Sequence, residues 1–341
     1  MALVIVHHIT TFSTLHVYFY RYSRTVERLE ELGRFGVLIF FCISGFVICR
    51  GLIQERSSPK LTLAAFYFRR ALRILPPLML YLAAIAIFSF TTKFVHASGS
   101  QILKGGTFIC NLPLAGYCGW FVGHTWSLAY EEQFYLIFPL LFLLLGLAAR
   151  PNVLLVIIGL LGCSALLFSV SNNKFYAYYV SMFIYMLCGC AAALYWSRLR
   201  SFLKKVPVII WLIVTLITFA LAGTLPFASV LNQVKQTIVM PLLICFVVLG
   251  TPTRDCRVKA IFENPAISYF GKMSYTVYLW QQLATANYLA APPWLAFVLL
   301  CAVFLFAYYS YEYLERPLMR LGANWSNKIK GRTVSGAPLA I

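Results

Sequence analysis

Apolar residues in this chain run in stretches of about 20, the length a helix needs to cross a hydrocarbon core of about 30 Å. They fall at roughly residues 1–20, 34–54, 73–93, 126–148, 151–170, 177–197, 206–224, 228–250, 270–290 and 292–314. Between 126 and 170 the break is Arg150-Pro151, where a charge and a proline seat a tight hairpin. The stretches lack the short polar/apolar alternation of an outer-membrane barrel. The expected fold is all-α, a polytopic transmembrane bundle of about ten spans.

Composition agrees: 61% of the residues are hydrophobic and 11% charged, against roughly 25% charged in a soluble domain, and the mean hydropathy is +0.80. Charge then orients the bundle. With both termini cytoplasmic, the cytoplasmic loops and tail hold 20 of the 28 basic residues, as the positive-inside rule requires. The net charge of +18 is thus largely topological. Dispersed over short loops, it forms no stripe along a nucleic-acid backbone, and its partners are anionic lipid head groups. Residues 1–20 lack the basic n-region of a signal peptide and contain His7, His8 and His16. The expected location is the inner (cytoplasmic) membrane, multi-pass. The chain begins inside an apolar stretch, so a longer N-terminus is expected. Residues 1–320 read as one membrane domain and 321–341 as a short basic cytoplasmic tail.

The ten cysteines are scattered, without a pair at metal-ligand spacing, and no metal site is expected. Cys188-Gly189-Cys190 reads as helix packing. Cys110 and Cys118 share an extracytoplasmic loop and can form a disulfide.

Four places carry polar chemistry that lipid-facing helices do not need. Glu131 and Glu132 are adjacent near the head of the fourth span, and a carboxylate inside a membrane helix costs about 2.5–3.5 kcal/mol on insertion scales. Neighbours on a helix point about 100° apart, so one acid is expected to work in a narrow cavity and the other to face the interface or complement the helix dipole. Ser127 lies one turn before Glu131, either as part of the site or as a helix cap. His7, with His8 as the weaker candidate, lies in the first span, where a neutral imidazole can act as general base or carry an acyl group. Arg69, Arg70 and Arg73 can share a helix face at the cytoplasmic surface, suited to clamping phosphates or simply to anchoring the span. Tyr275, Tyr278 and Trp280 near the ninth span suit a site or an aromatic belt, and Glu315 before Arg316-Pro317 can end the last helix.

The ordered set resembles membrane acyltransferase family three, the O-acyltransferases of bacterial surface polysaccharides and related glycans. It comprises Val4-Ile5-Val6-His7-His8, the Phe35 to Ile48 span, Phe68-Arg69-Arg70-Ala71-Leu72-Arg73-Ile74-Leu75-Pro76, the Trp126 to Pro139 stretch, and Ser274-Tyr275-Thr276-Val277-Tyr278-Leu279-Trp280. The resemblance implies a ten-helix core that moves an acyl group, often acetyl from acetyl coenzyme A, onto a sugar hydroxyl, with no permanently bound cofactor. It assigns His7 to the first-span histidine, Arg70 and Arg73 to the paired arginines, and Ser127 with Glu131 to the serine-to-acid motif. The family's arginine eleven positions before the histidine would fall upstream of Met1. The histidine that commonly follows Tyr-Leu-Trp is replaced by Gln281-Gln282-Leu283.

The expected mechanism has Arg70 and Arg73, with Arg69, holding donor phosphates at the cytoplasmic mouth while the thioester reaches His7. His7 either deprotonates the acceptor hydroxyl or carries the acyl group, and Glu131, approaching from the extracytoplasmic end away from the arginines, orients it. The expected partners are an acyl-CoA, a glycan or lipid-linked saccharide, membrane lipids, and glycan biosynthesis or export proteins. The competing reading is a proton-coupled transporter or flippase of lipid-linked glycans, using the same residues without covalent chemistry.

Overall fold

The computed structural model describes residues 3–5, 23–56, 63–171, 173–222, 229–253, 260–261, 263–285 and 293–329. Among the described residues there is no strand. The long helices are α1 (Ser23–Arg56) and α2 (Leu63–Thr91). Two short ones follow, α3 (Gly99–Gly106) and α4 (Trp120–Gly123). Then come α5 (Trp126–Leu144), α6 (Asn152–Val170), α7 (Lys174–Leu194), α8 (Trp196–Lys205) and α9 (Val208–Ala220). Helix α10 (Ser229–Val234) passes through a π-turn (Lys235–Val239) into α11 (Met240–Gly250). Helix α12 (Pro265–Ala284) precedes α13 (Pro293–Ser310), a second π-turn (Tyr311–Glu315) and α14 (Arg316–Ile329).

Among the described residues seven helices are long and apolar enough to cross a membrane, or eight if α8 and α9, bent by 108°, count as one span. Of the ten expected stretches, the first lies almost wholly outside the described residues. The ninth is α12, whose Thr276, Gln281 and Gln282 are buried against neighbours. Its low hydropathy follows from that interior position, since helices that face protein can carry polar groups.

Three helices start or end elsewhere than the hydropathy pattern suggests. Helix α2 begins at Leu63, ten residues before the expected span, so Arg69, Arg70 and Arg73 lie within it and not at its mouth. The fourth span runs from Trp120 to Leu144 through a turn at His124-Thr125, which puts Glu131 near its midpoint and not near its extracytoplasmic end. The last runs from Phe297 to Lys328 over 32 residues, about 48 Å at 1.5 Å per residue. Glu315 therefore does not end it, and the expected tail from 321 starts as helix. Pro317 has no N–H to offer the helix, and the widened turn at Tyr311–Glu315 lies directly before it.

Small residues set the central crossing. A Cβ on Gly45 of α1 would lie 1.9 Å from the Met186 carbonyl oxygen, and one on Gly189 of α7 would lie 2.1 Å from that of Cys42. The Cys190 thiol also contacts the Gly45 carbonyl oxygen at 3.1 Å. This close approach is the membrane use of glycine, and it matches the packing read in Cys188-Gly189-Cys190.

Hydrogen bonds fix the register around α2. The Tyr67 hydroxyl donates to the Leu136 carbonyl at 2.8 Å, and that of Tyr81 to the Phe121 carbonyl at 2.6 Å, so α2 runs antiparallel to α4–α5. Helix α12 runs alongside α2, with the Tyr275 hydroxyl donating to the Ile74 carbonyl at 3.0 Å. The segment that carries α3 and the loop after it is pinned at several points. Ser98 and Gln101 form a capping box, Cys110 and Cys118 are disulfide-bonded, and the Asn111 and Gln133 amides pair through two bonds of 2.9 Å.

Candidate active site at the centre of the bundle

Glu131 lies where α1, α2 and α5 meet, 4% exposed. Its Oε1 accepts from the Ser44 hydroxyl at 2.5 Å and from Arg70 Nη2 at 2.7 Å. Because the Ser44 proton goes to the carboxylate, the Tyr135 hydroxyl donates to Ser44 Oγ, also at 2.5 Å. The Tyr135 ring underlies the guanidinium, with Arg70 Cζ 3.6 Å from its centroid, a cation–π contact. Tyr135 is four residues after Glu131, so one face of α5 supplies both acid and ring. Two charges are thus carried inside the membrane by mutual pairing and hydrogen bonding, the condition under which buried charge is tolerated.

This joins two groups expected to be apart. The arginines and the Glu131 carboxylate form one centre, because α2 starts earlier and α5 lies deeper than hydropathy alone indicates.

The three arginines divide. Arg69 points away from the centre and bonds Glu55 of α1 and Ser326 of α14, tying three helix ends together. Arg70 pairs with Glu131, its Nε buried without a partner among the described residues. Arg73 is exposed and makes no hydrogen bond or ion pair among the described residues, while lying within electrostatic reach of Arg70, Glu131 and Glu315. Glu315, 2% exposed in the π-turn, accepts from Thr276 of α12 and from Ser310 at 3.4 Å.

Glu132 is not an interface residue. Its Oε1 is buried without a partner among the described residues, in a region whose charged neighbours are Arg70 and Glu131 and whose phenol is Tyr275. The 100° offset separates the two acids without expelling either from the polar interior.

Ser127 does not cap a helix. Thr125 occupies the cap position, and the Ser127 hydroxyl bonds Tyr278 at 2.6 Å. Tyr278 donates its own proton to the His124 carbonyl at 2.5 Å, so Ser127 is the donor in that bond. Nor do Tyr275, Tyr278 and Trp280 form a belt. Tyr275 and Tyr278 bond backbone carbonyls inside the bundle, and Trp280 packs on Tyr81 with ring centroids 5.6 Å apart. His7 and His8 lie outside the described residues. Among the described residues no group of three or more metal-ligating side chains gathers.

Ser44, Tyr135 and His124 belong to the site although the sequence reading did not single them out for it. Ser44 had a signal, a hydroxyl inside an apolar run directly before the crossing Gly45. Tyr135 had another, one turn beyond Glu131. His124 sits one turn before Ser127, 5% exposed, its ring edge-on to Tyr81 and Tyr278 at 5.5 and 5.3 Å.

The profile of a family described as an acyltransferase domain matches residues 1–312. The chain is 27% identical over 338 residues to the peptidoglycan O-acetyltransferase OatA of Listeria monocytogenes, covering 88% of the chain and 53% of that protein. It is 24% identical over 330 residues to a Staphylococcus aureus protein named "Putative O-acetyltransferase", covering 86% of the chain and 54% of the relative. A Bacillus subtilis protein named "Putative peptidoglycan O-acetyltransferase" is 25% identical over 339 residues, with 85% and 51% covered. The chain spans about half the length of these curated relatives. No solved structure matches it.

Proposed function

We propose that this chain, which belongs to the acyltransferase-domain family matched over residues 1–312, moves an acetyl group from an acyl-CoA thioester to a hydroxyl of a glycan, across the membrane. The observation that carries the reading is the Tyr135–Ser44–Glu131–Arg70 network at the centre of the bundle, with exposed Arg73 one turn beyond Arg70 on α2 and Ser127, bonded to Tyr278, one turn before Glu131 on α5. The Cys110–Cys118 disulfide supports the side of each opening. Disulfides persist in oxidising compartments, so the α3–α4 loop faces outward and the arginine end of α2 faces the cytoplasm.

The donor's phosphates meet Arg73, whose guanidinium has no hydrogen bond or ion pair among the described residues, and the Nε of Arg70. The acceptor hydroxyl attacks the thioester carbonyl as His7 takes its proton, the C–S bond breaks, and His7 returns that proton to the departing thiolate. In the other route His7 carries the acyl group first. Glu131 and Ser44 hold Arg70 in place. The relatives named for peptidoglycan O-acetylation support a glycan acceptor.

The test is transfer of labelled acetyl from acetyl coenzyme A to a glycan by purified protein in liposomes. We expect transfer by the native chain and its loss in His7→Ala with unchanged insertion. Normal transfer by that variant would remove His7 from the mechanism. A single-turnover quench before acceptor is added separates the routes, since only the second leaves label on the protein.

A further inference from the structure

An apolar groove opens between the last turn of α2 with the segment 92–95 after it, the end of α12 and the middle of α13. Its volume is about 470 Å³, and Phe88, Val95, Trp280, Ala284, Val303 and Phe306 line it. That volume falls in the range of about 300–1,000 Å³ typical of ligand sites. The reaction derived above does not use it.

Three observations say what it holds. Its walls come from two helices long and apolar enough to cross a membrane, from α12 and from residues 92–95 after α2, and Ala302 and Phe88 on its rim are exposed, so its mouth opens on the apolar outer surface of those helices. One of its walls backs onto rings that border the polar layer of the site. Trp280 forms one wall and packs on Tyr81, which packs in turn on His124 one turn before Ser127. The wall is not wholly apolar, because the Trp280 indole Nε1 is buried with no hydrogen-bond partner among the described residues. A buried N–H left unpaired costs free energy that a ligand oxygen would recover.

We propose that this groove binds the hydrocarbon tail of a lipid-linked saccharide acceptor, with the Trp280 N–H meeting an oxygen where tail joins head group. This rests on the acyl-transfer reading and names its substrate class. The tail lies among Phe88, Val95, Ala284 and Phe306, and the sugar is brought over the Ser127–Tyr278 pair. The groove is on the side of the disulfide-bonded loop, so the acceptor comes from the outer leaflet.

The test uses the full chain in liposomes with a polyprenyl-linked disaccharide carrying a diazirine in its tail, a diazirine phospholipid, and the same disaccharide without a tail. Ala302 is exposed and outside the reacting centre, so Ala302→Trp fills the groove with little risk to folding, and Ala302→Leu fills it less. We expect light-driven labelling of groove residues by the polyprenyl probe, suppressed about tenfold in Ala302→Trp, the loss of one or two methylenes' worth of contact. The KM for the tailed acceptor should rise by a similar factor and transfer to the tail-free disaccharide should not change. Equal labelling by the phospholipid would overturn the proposal and make the groove a place for bulk lipid. So would equal loss on both acceptors in Ala302→Trp, or no change on either. Labelling needs no donor, so polyprenyl-selective labelling without acetyl transfer would leave the groove standing and remove the acyl-transfer reading.

Discussion

Two buried polar clusters cross the bundle, and they are built differently. Between α7 and the first π-turn, the Gln233 amide donates to Ser181 at 2.8 Å and to Thr237 at 2.9 Å, and Ser181 donates back to the Ala177 carbonyl at 2.8 Å. All these groups are neutral, and none of their buried atoms lacks a partner. The Glu131 centre joins α1, α2 and α5 through opposite charges, yet leaves Arg70 Nε and Glu132 Oε1 buried and unpaired among the described residues. A saturated neutral cluster holds helices together and has no capacity for a ligand. A charged cluster with spare donors and acceptors is costly unless something binds there.

The contrast is broken most strongly at the ion pair. Glu131→Ala or Arg70→Ala strands one charge, so the unfolding free energy should fall by about 3–5 kcal/mol in detergent and transfer at least about a hundredfold. Replacing both with glutamine should regain much of the stability and none of the transfer. If the double variant were active, the pair would be structural only.

Arg73→Ala should raise the donor KM roughly tenfold to a hundredfold, the worth of a charged hydrogen bond, with the melting temperature unmoved because Arg73 makes no ion pair among the described residues. A variant with native KM would end its assignment to the donor.

Ser44→Ala removes one bond to Glu131 and the acceptor of Tyr135. It should lower kcat about tenfold without changing the donor KM, and steady-state kinetics would reveal the split. The smallest effect belongs to the neutral cluster. Gln233→Ala should cost about 0.6 kcal/mol, the mean for hydrogen bonds between membrane helices, and leave transfer intact. Lost transfer with native stability would show that the two clusters are not distinct in role.

Much of the site was legible in the chain. Charge sparsity made Glu131, the arginines and Ser127 conspicuous, because each ionisable or polar group in a membrane span demands a reason. What escaped was partnership. Arg69, Arg70 and Arg73 look alike as helix neighbours. One ties Glu55 to Ser326, one pairs with Glu131, and one has no partner among the described residues. Glu132 looked like the acid to set aside, since helix geometry gives a direction from α5 and says nothing of what stands there. Tyr275 and Tyr278 suited a belt as well as a core, because an amphipathic ring satisfies both until its hydroxyl's partner is known.

The sequence by itself determined the helical bundle, the inventory of costly groups and the small residues where helices approach. Those follow from transfer free energies and from sterics, which act residue by residue. Only the tertiary structure decided that Ser44, Arg70 and Glu131 form one centre. A hydrogen bond between residues 61 or 87 positions apart depends on the register of helices, and hydropathy, which is blind to a slide of one turn, cannot set it.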